Sequence, residues 1–182
     1  ASGQPGWAPA FTEIKMRRIV TLAAVAAMTV SSSRAQEPVW DANTVVLESQ
    51  KLAEGVFAVT PEGAGEMAEA GLPIATTSGF VIGTRGVLVI DSMLNERLNS
   101  QLVGLIAAET DLPVRYMVNT SFHGDHSYGN FYLPDEIDII QHANAKAYID
   151  SHFEADTAFM IQNFGEGRGI EEIEPTDADI LI

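Results

Sequence analysis

The chain has 182 residues, with 25 Asp and Glu against 10 Lys and Arg, a formal net charge of -15 and no cysteine. Such a charge disfavours a nucleic-acid partner, because a phosphate backbone is held by clustered Lys and Arg that displace its counterions. The absence of cysteine excludes disulfides and thiolate metal ligands within the chain, while the length and a 46% hydrophobic share suit one packed domain.

In chain order, residues 1–15 carry Gly3, Pro5, Gly6 and Pro9, show no periodicity and precede Met16, so they read as an upstream extension outside the fold. Residues 16–35 read as a signal peptide. Lys15, Arg17 and Arg18 give the positive region, Ile19 to Val30 the apolar run, and Ser33-Arg34-Ala35 the cleavage signal before Gln36. The run is shorter than the roughly 20 residues that a transmembrane helix needs. The expectation is a periplasmic or secreted protein with no stable membrane anchor after cleavage. Residues 36–182 keep six basic and 24 acidic residues, a net charge of -18.

Within 36–182, Leu52 to Thr60 reads as a first strand, followed by a turn-rich stretch to Pro73. Thr76 to Ile82 and Val87 to Ile90 read as strands joined by the hairpin loop Gly83-Thr84-Arg85-Gly86. Leu98, Leu102, Leu105 and Ile106 then recur at helical spacing, which predicts an amphipathic helix from Asn95 to Glu109. Pro113 ends it, and Val114 to Val118 reads as a short buried strand. Ile137 to Ile140 is a further strand and Ala143 to Ser151 a helix. Phe159, Met160, Ile161 and Phe164 suggest another helix stopped at Gly165, and Ala178 to Ile182 begins an apolar strand. An unpaired apolar strand invites aggregation, so the C-terminus reads as a truncation point.

Between two of these strands lies Asn119-Thr120-Ser121-Phe122-His123-Gly124-Asp125-His126-Ser127-Tyr128-Gly129-Asn130. It puts two imidazoles and a carboxylate within four residues, a set that zinc and similar ions take at about 2.0–2.2 Å. Three ligand-type side chains at this spacing are rare as surface decoration. His142 and His152 read instead as a capping or surface residue and as a helix-terminal residue beside the helix dipole. Phe122 and Tyr128 either wall a pocket or pack the loop.

The stretch resembles the metal-binding loop of the metallo-β-lactamase superfamily, whose pattern is H-x-H-x-D-H followed by a glycine-rich turn. Here it reads S-x-H-x-D-H, with Ser121 where most members carry the first histidine. The resemblance spans roughly Leu52 to Ile182 and implies an α/β fold, the first half of an αββα sandwich. It also implies metal ligation by His123, Asp125 and His126, with Asp125 as the catalytic residue that steers a metal-bound water. Asp91, at the end of Val87-Leu88-Val89-Ile90-Asp91, resembles an Asp that supports the loop from behind, although a helix-capping Asp reads equally well. Ser121 is expected to bond a metal-bound water or the loop backbone. The acidic stretch Pro61 to Gly71 sits where relatives carry a loop over the site, so it is either a flap that contacts substrate through Met67 or a solvated loop.

The implied activity is that of an exported zinc-dependent hydrolase with one or two zinc ions, acting on a small-molecule ester, lactone, thioester or β-lactam. Iron in place of zinc would instead make an oxidoreductase on the same scaffold. A non-catalytic exported binding protein with a degenerate metal site is the alternative from another class. The family's later His, bridging Asp and final His have no counterpart here, so residues 36–182 alone are expected to be inactive. The sequence does not indicate an oligomeric state.

Overall fold

Apolar alternation and tight turns build the first part of the fold in a computed structural model that describes residues 42–69, 77–164 and 167–182, within the unit Arg34–Ile182. The upstream extension and the signal peptide lie outside the described residues. Strands β1 (Leu47–Ala53) and β2 (Val56–Pro61) pair antiparallel, with Ala53 opposite Val56. A single strand over Leu52 to Thr60 is therefore incorrect: Glu54 and Gly55 reverse the chain in its middle. Gly55 has φ +70, and a Cβ there would lie 2.9 Å from the Ile82 carbonyl oxygen. Only glycine fits that turn without strain.

A second correction follows β2. Part of the turn-rich stretch forms a short helix, α1 (Ala64–Glu69), while residues 70–76 lie outside the described residues. Strands β3 (Ser78–Ile82) and β4 (Val87–Ile90) form the expected hairpin, closed by the Gly83 N–H donating to the Gly86 carbonyl at 2.9 Å. Helix α2 (Glu96–Glu109) starts at Asn95, whose side-chain oxygen accepts from the Leu98 N–H. Such caps contribute about 1 kcal/mol. The helix returns the chain so that β5 (Val114–Val118) runs parallel to β4, and β6 (Asp138–Gln141) and β7 (Ile180–Leu181) continue the parallel run.

The result is one mixed sheet in the order β1-β2-β3-β4-β5-β6-β7. Phe57, Phe80, Val89, Met117 and Ile139 are lateral neighbours on one face and are buried there. Phe57 stacks on Phe80 at 4.6 Å. Leu98, Leu102 and Ile106 of α2 belong to the same core, each fully buried side chain contributing about 1.5–3 kcal/mol. On the other face Val81, Leu88, Val118 and Ile140 are half-buried, and Tyr116 is exposed. The expectation of a fully buried β5 is thus corrected, since within it only Met117 is buried. A sheet with helix-packed apolar residues on one face is the α/β half-sandwich that the sequence resemblance implies.

Two short helices were expected after β6, and the structure has one, α4 (Ala143–Phe164). No Gly or Pro interrupts it before Gly165, which explains its continuity. No helix of the described residues is long and apolar enough to cross a membrane.

Candidate metal centre

Parallel strands place their carboxyl ends side by side, and in open α/β sheets that edge is where ligand-binding loops collect. Here Asp91 directly follows β4, and Asn119 and Thr120 directly follow β5, with Ile90 opposite Val118. The Asp91 backbone has φ +61, and the Ser78 hydroxyl lies 2.8 Å from the carbonyl oxygens of both Ile90 and Asp91. The left-handed turn directs a buried carboxylate at the loop after β5.

That carboxylate accepts three bonds. The Thr120 N–H donates to Oδ1 at 2.7 Å, the Thr120 hydroxyl to Oδ2 at 2.7 Å, and His126 Nδ1 lies 2.8 Å from Oδ2. An ionised carboxylate only accepts, so Nδ1 carries the proton and Nε2 is left toward the site. The hydrogen bond to Asp91 raises the His126 pKa above its ordinary 6.5; burial opposes the rise, and the charges of Asp125 and Asp91 add to it. Asp91 does not cap α2, a role taken by Asn95.

His126 lies in a one-turn helix, α3 (Gly124–Ser127), that begins after His123. Gly124 is required here because a Cβ would fall 2.7 Å from the Tyr128 ring. Tyr128 is buried, packs on Phe153 at 5.2 Å and bonds Thr157 through its hydroxyl. It therefore packs the loop onto α4, and burial raises its phenol pKa. Phe122 lies against His123 and Tyr148, with centroids 4.4 and 4.1 Å away.

One ligand atom from each of His123, Asp125 and His126 lies within 4.8 Å of the others. His126 Nε2 is 3.6 Å from Asp125 Oδ2. Donors about 2.0–2.2 Å from a tetrahedral ion stand roughly 3.4 Å apart, a spacing that the His126–Asp125 pair approaches. The donor set, two imidazoles and a carboxylate, fits a divalent metal. Ser121 contributes to the loop itself, its hydroxyl accepting from the His123 N–H at 3.3 Å. His142 and His152 are not in this group. His142 immediately precedes α4, with Nδ1 accepting from the Asn144 N–H. His152 lies inside α4, not at its end as expected, and its ring stacks on Tyr148 at 4.2 Å. In the stretch read as either a flap or a solvated loop, Ala64–Glu69 are helical, and Ala70 and Gly71 lie outside the described residues.

Residues not singled out from the sequence hold the loop in place. The His126 carbonyl accepts from the Ser92 N–H at 2.8 Å and from Asn119 Nδ2 at 2.8 Å. Buried Asn130 and Gln141 both donate to Asn119 Oδ1, at 2.7 and 2.9 Å. Thr120 couples Asp91 to the loop through its backbone and its hydroxyl. The sequence signal was faint: Asn119 and Thr120 adjoin the motif, but their partners come from β4, β6 and the turn after α3.

The structure thus defines an α/β domain with a candidate metal centre at the carboxyl ends of its parallel strands. Its ligand-type residues are those of the variant metallo-β-lactamase motif. No family model and no curated protein matches the chain by sequence. Among solved structures it is similar to several metallo-β-lactamases. The DIM-1 enzyme is 14% identical over 75% of this chain and 51% of that one, with a TM-score of 0.48. The enzyme from Pontibacter korlensis is 16% identical over 59% and 49%, TM-score 0.48, and that from Hirschia baltica 17% over 59% and 48%, TM-score 0.49. The chain spans about half the length of these lactamases. The likeness is modest, and the reading of the centre rests on its own residues.

Proposed function

We propose that His123, Asp125 and His126 hold a divalent metal ion, zinc in the first instance, and that the protein is an exported metal-dependent hydrolase of the metallo-β-lactamase superfamily. The observation that carries this reading is the pairing of His126 Nδ1 with buried Asp91, which leaves Nε2 facing Asp125 in the His123, Asp125 and His126 group. Such carboxylate–histidine pairs orient metal ligands and raise their basicity. A bound divalent ion supplies Lewis-acid polarisation of a carbonyl and acidifies water. The chain's own part is to present the donors in order, hold the His126 proton on Nδ1, and place the Asp125 carboxylate beside the reacting group. The substrate class is a small molecule with an ester, lactone, thioester or β-lactam carbonyl.

Zinc titration of the 182-residue chain tests the site. One tightly bound equivalent is expected, lost in His126→Ala and Asp125→Ala variants that keep the wild-type fold by circular dichroism. Wild-type affinity in both variants would sink the site. The activity is tested on the product of the complete reading frame with a panel of esters, thioesters, lactones and β-lactams. Chelator-sensitive turnover is expected, and turnover indifferent to metal would refute the hydrolase reading.

A second reading, an exported binding protein that does not catalyse, is favoured by one observation. The described residues bring only three ligand-type groups together, with Ser121 in place of a fourth. Metal binding without turnover across the whole panel would move the conclusion to it.

A further inference from the structure

We infer that a single water molecule is bound inside the domain behind the 119–130 loop, held by the side-chain oxygen of Gln141. This site is separate from the proposed metal ligands and does not rest on the hydrolase reading. Gln141 is the last residue of β6 and is 1% exposed. Among the described residues, its Oε1 is the one enclosed side-chain polar atom without a hydrogen-bond partner. A buried oxygen left unbonded gives up its hydration with nothing in return, so such atoms are ordinarily satisfied by protein or by an ordered water.

The surrounding amides fix which atom needs the partner. Asn119 Nδ2 donates to the His126 backbone carbonyl at 2.8 Å, so Oδ1 is the acceptor that Asn119 turns the other way. That Oδ1 accepts from Asn130 Nδ2 at 2.7 Å and from Gln141 Nε2 at 2.9 Å. Turning the Gln141 amide over would set two oxygens against each other. Nε2 therefore stays on Asn119, and Oε1 is the atom left to be satisfied.

Gln141 also borders a cavity of about 10 Å³, together with Ser127, Asn130, Phe153, Glu174 and Thr176. That is about the space one water needs, and a buried water makes about three hydrogen bonds. Ser127, Glu174 and Thr176 supply further polar groups around it, and no larger ligand fits. The walls are fastened independently of any ligand. Lys146 pairs with Asp177 at 3.0 Å, the Ile139 N–H donates to Asp179 Oδ2 at 2.8 Å, and Tyr128 packs on Phe153. Further protein packed on the outside leaves an enclosed oxygen enclosed. The water joins the 174–176 segment to the relay that runs through Gln141 and Asn119 to the His126 carbonyl.

The test uses the 182-residue chain without added metal. Its crystal structure should show one ordered water about 2.5–3.0 Å from Gln141 Oε1, bonded also to a group of residues 127–130 or 174–176. In solution, the Gln141 side-chain amide should give a nuclear Overhauser cross-peak to water, of the sign expected for a water that tumbles with the protein. Gln141→Met keeps the length of the side chain and removes both polar atoms, and its crystal structure should lack the water. A well-ordered cavity without that water, a protein group bonded to Oε1, or a water unchanged in Gln141→Met would each overturn the inference. The wild-type measurements decide the matter even if the variant does not fold.

Discussion

The two ends of strands β4 and β5 handle charge in opposite ways. At the carboxyl end, buried Asp91 is bonded to Thr120 and His126, and the His126 carbonyl is held by Ser92 and Asn119. At the other end, Arg85 and Arg115 have no bonded partner among the described residues and share an open pocket. The difference is one of preorganisation. One end uses its hydrogen bonds internally to hold side chains around a point, and the other leaves two guanidiniums without such bonds to described residues. Both ends depend on glycines that let side chains or backbone approach closely, so the same kind of change can probe each.

The largest effect is expected at Gly129. A Cβ there would lie 1.8 Å from the Ser92 carbonyl oxygen, backbone that cannot move aside as a flexible side chain can. Gly129→Ala should cost about 3 kcal/mol or more in urea unfolding, at the upper end of overpacking penalties. It should also abolish metal binding, because it pushes apart the segments that hold His126. A cost below about 1 kcal/mol would show that the carboxyl end is less rigid than the comparison holds.

Next comes Asp91→Asn, which keeps the shape but lets the side-chain amide donate toward Nδ1 instead of accepting from it. Zinc affinity should fall about 10–100-fold, the usual cost of losing a partner that orients a ligand. Chelator competition measures it. An unchanged affinity would mean that His126 does not need its proton held on Nδ1. Arg115→Gln, at the other end, should leave zinc affinity unaltered.

The His126 pairing also predicts a pH dependence in the metal-free protein. Its pKa is raised in the fold, first by the Asp91 bond and then by the charge of Asp125, against burial. A raised folded value contributes stability that is fully present below the unfolded value near 6.5 and is lost as pH climbs through the folded value. Denaturant midpoints should fall over that window, and less so in Asp91→Asn. The imidazole titration followed by NMR should have its midpoint above 6.5. Metal reverses the sense, because protons compete for Nε2 and affinity should weaken as pH drops.

The legible parts of the sequence were those written in local pattern. The Leu98, Leu102 and Ile106 spacing marked α2, the glycines at 83 and 86 marked the hairpin, and the compact His/Asp set marked the loop. What sequence could not separate was decided by tertiary register. Whether Asp91 caps a helix or supports the loop depends on β4 lying parallel beside β5 with Ile90 opposite Val118, and no spacing encodes that. The turn at Glu54-Gly55 was hidden because apolar residues flank it on both sides, so one strand was read where two exist. The single long α4 was read as two because its middle, Ser151 to Thr157, is mostly polar. Its length follows from the absence of a breaker, not from a strong apolar stripe.

The remaining histidines give the finest test of what belongs to the site. His142 caps α4 through its ring nitrogen, so His142→Ala should cost about 1 kcal/mol. His152 is more instructive, because its ring stacks on Tyr148, Tyr148 touches Phe122, and Phe122 lies on His123. A continuous chain of rings therefore runs from mid-α4 to a proposed ligand. Contact is not coupling, however, and among the described residues the His152 ring nitrogen Nδ1 bonds the neighbouring Ser151 hydroxyl and the Tyr148 carbonyl. An exposed substitution of this kind usually changes stability by no more than about 0.5 kcal/mol. His152→Gln should leave zinc affinity within about twofold of wild type, a change below roughly 0.4 kcal/mol on the scale where tenfold is 1.4 kcal/mol. A tenfold loss would mean that α4 holds the His123 ring in position through Tyr148 and Phe122, and the carboxyl-end site would then extend onto the helix.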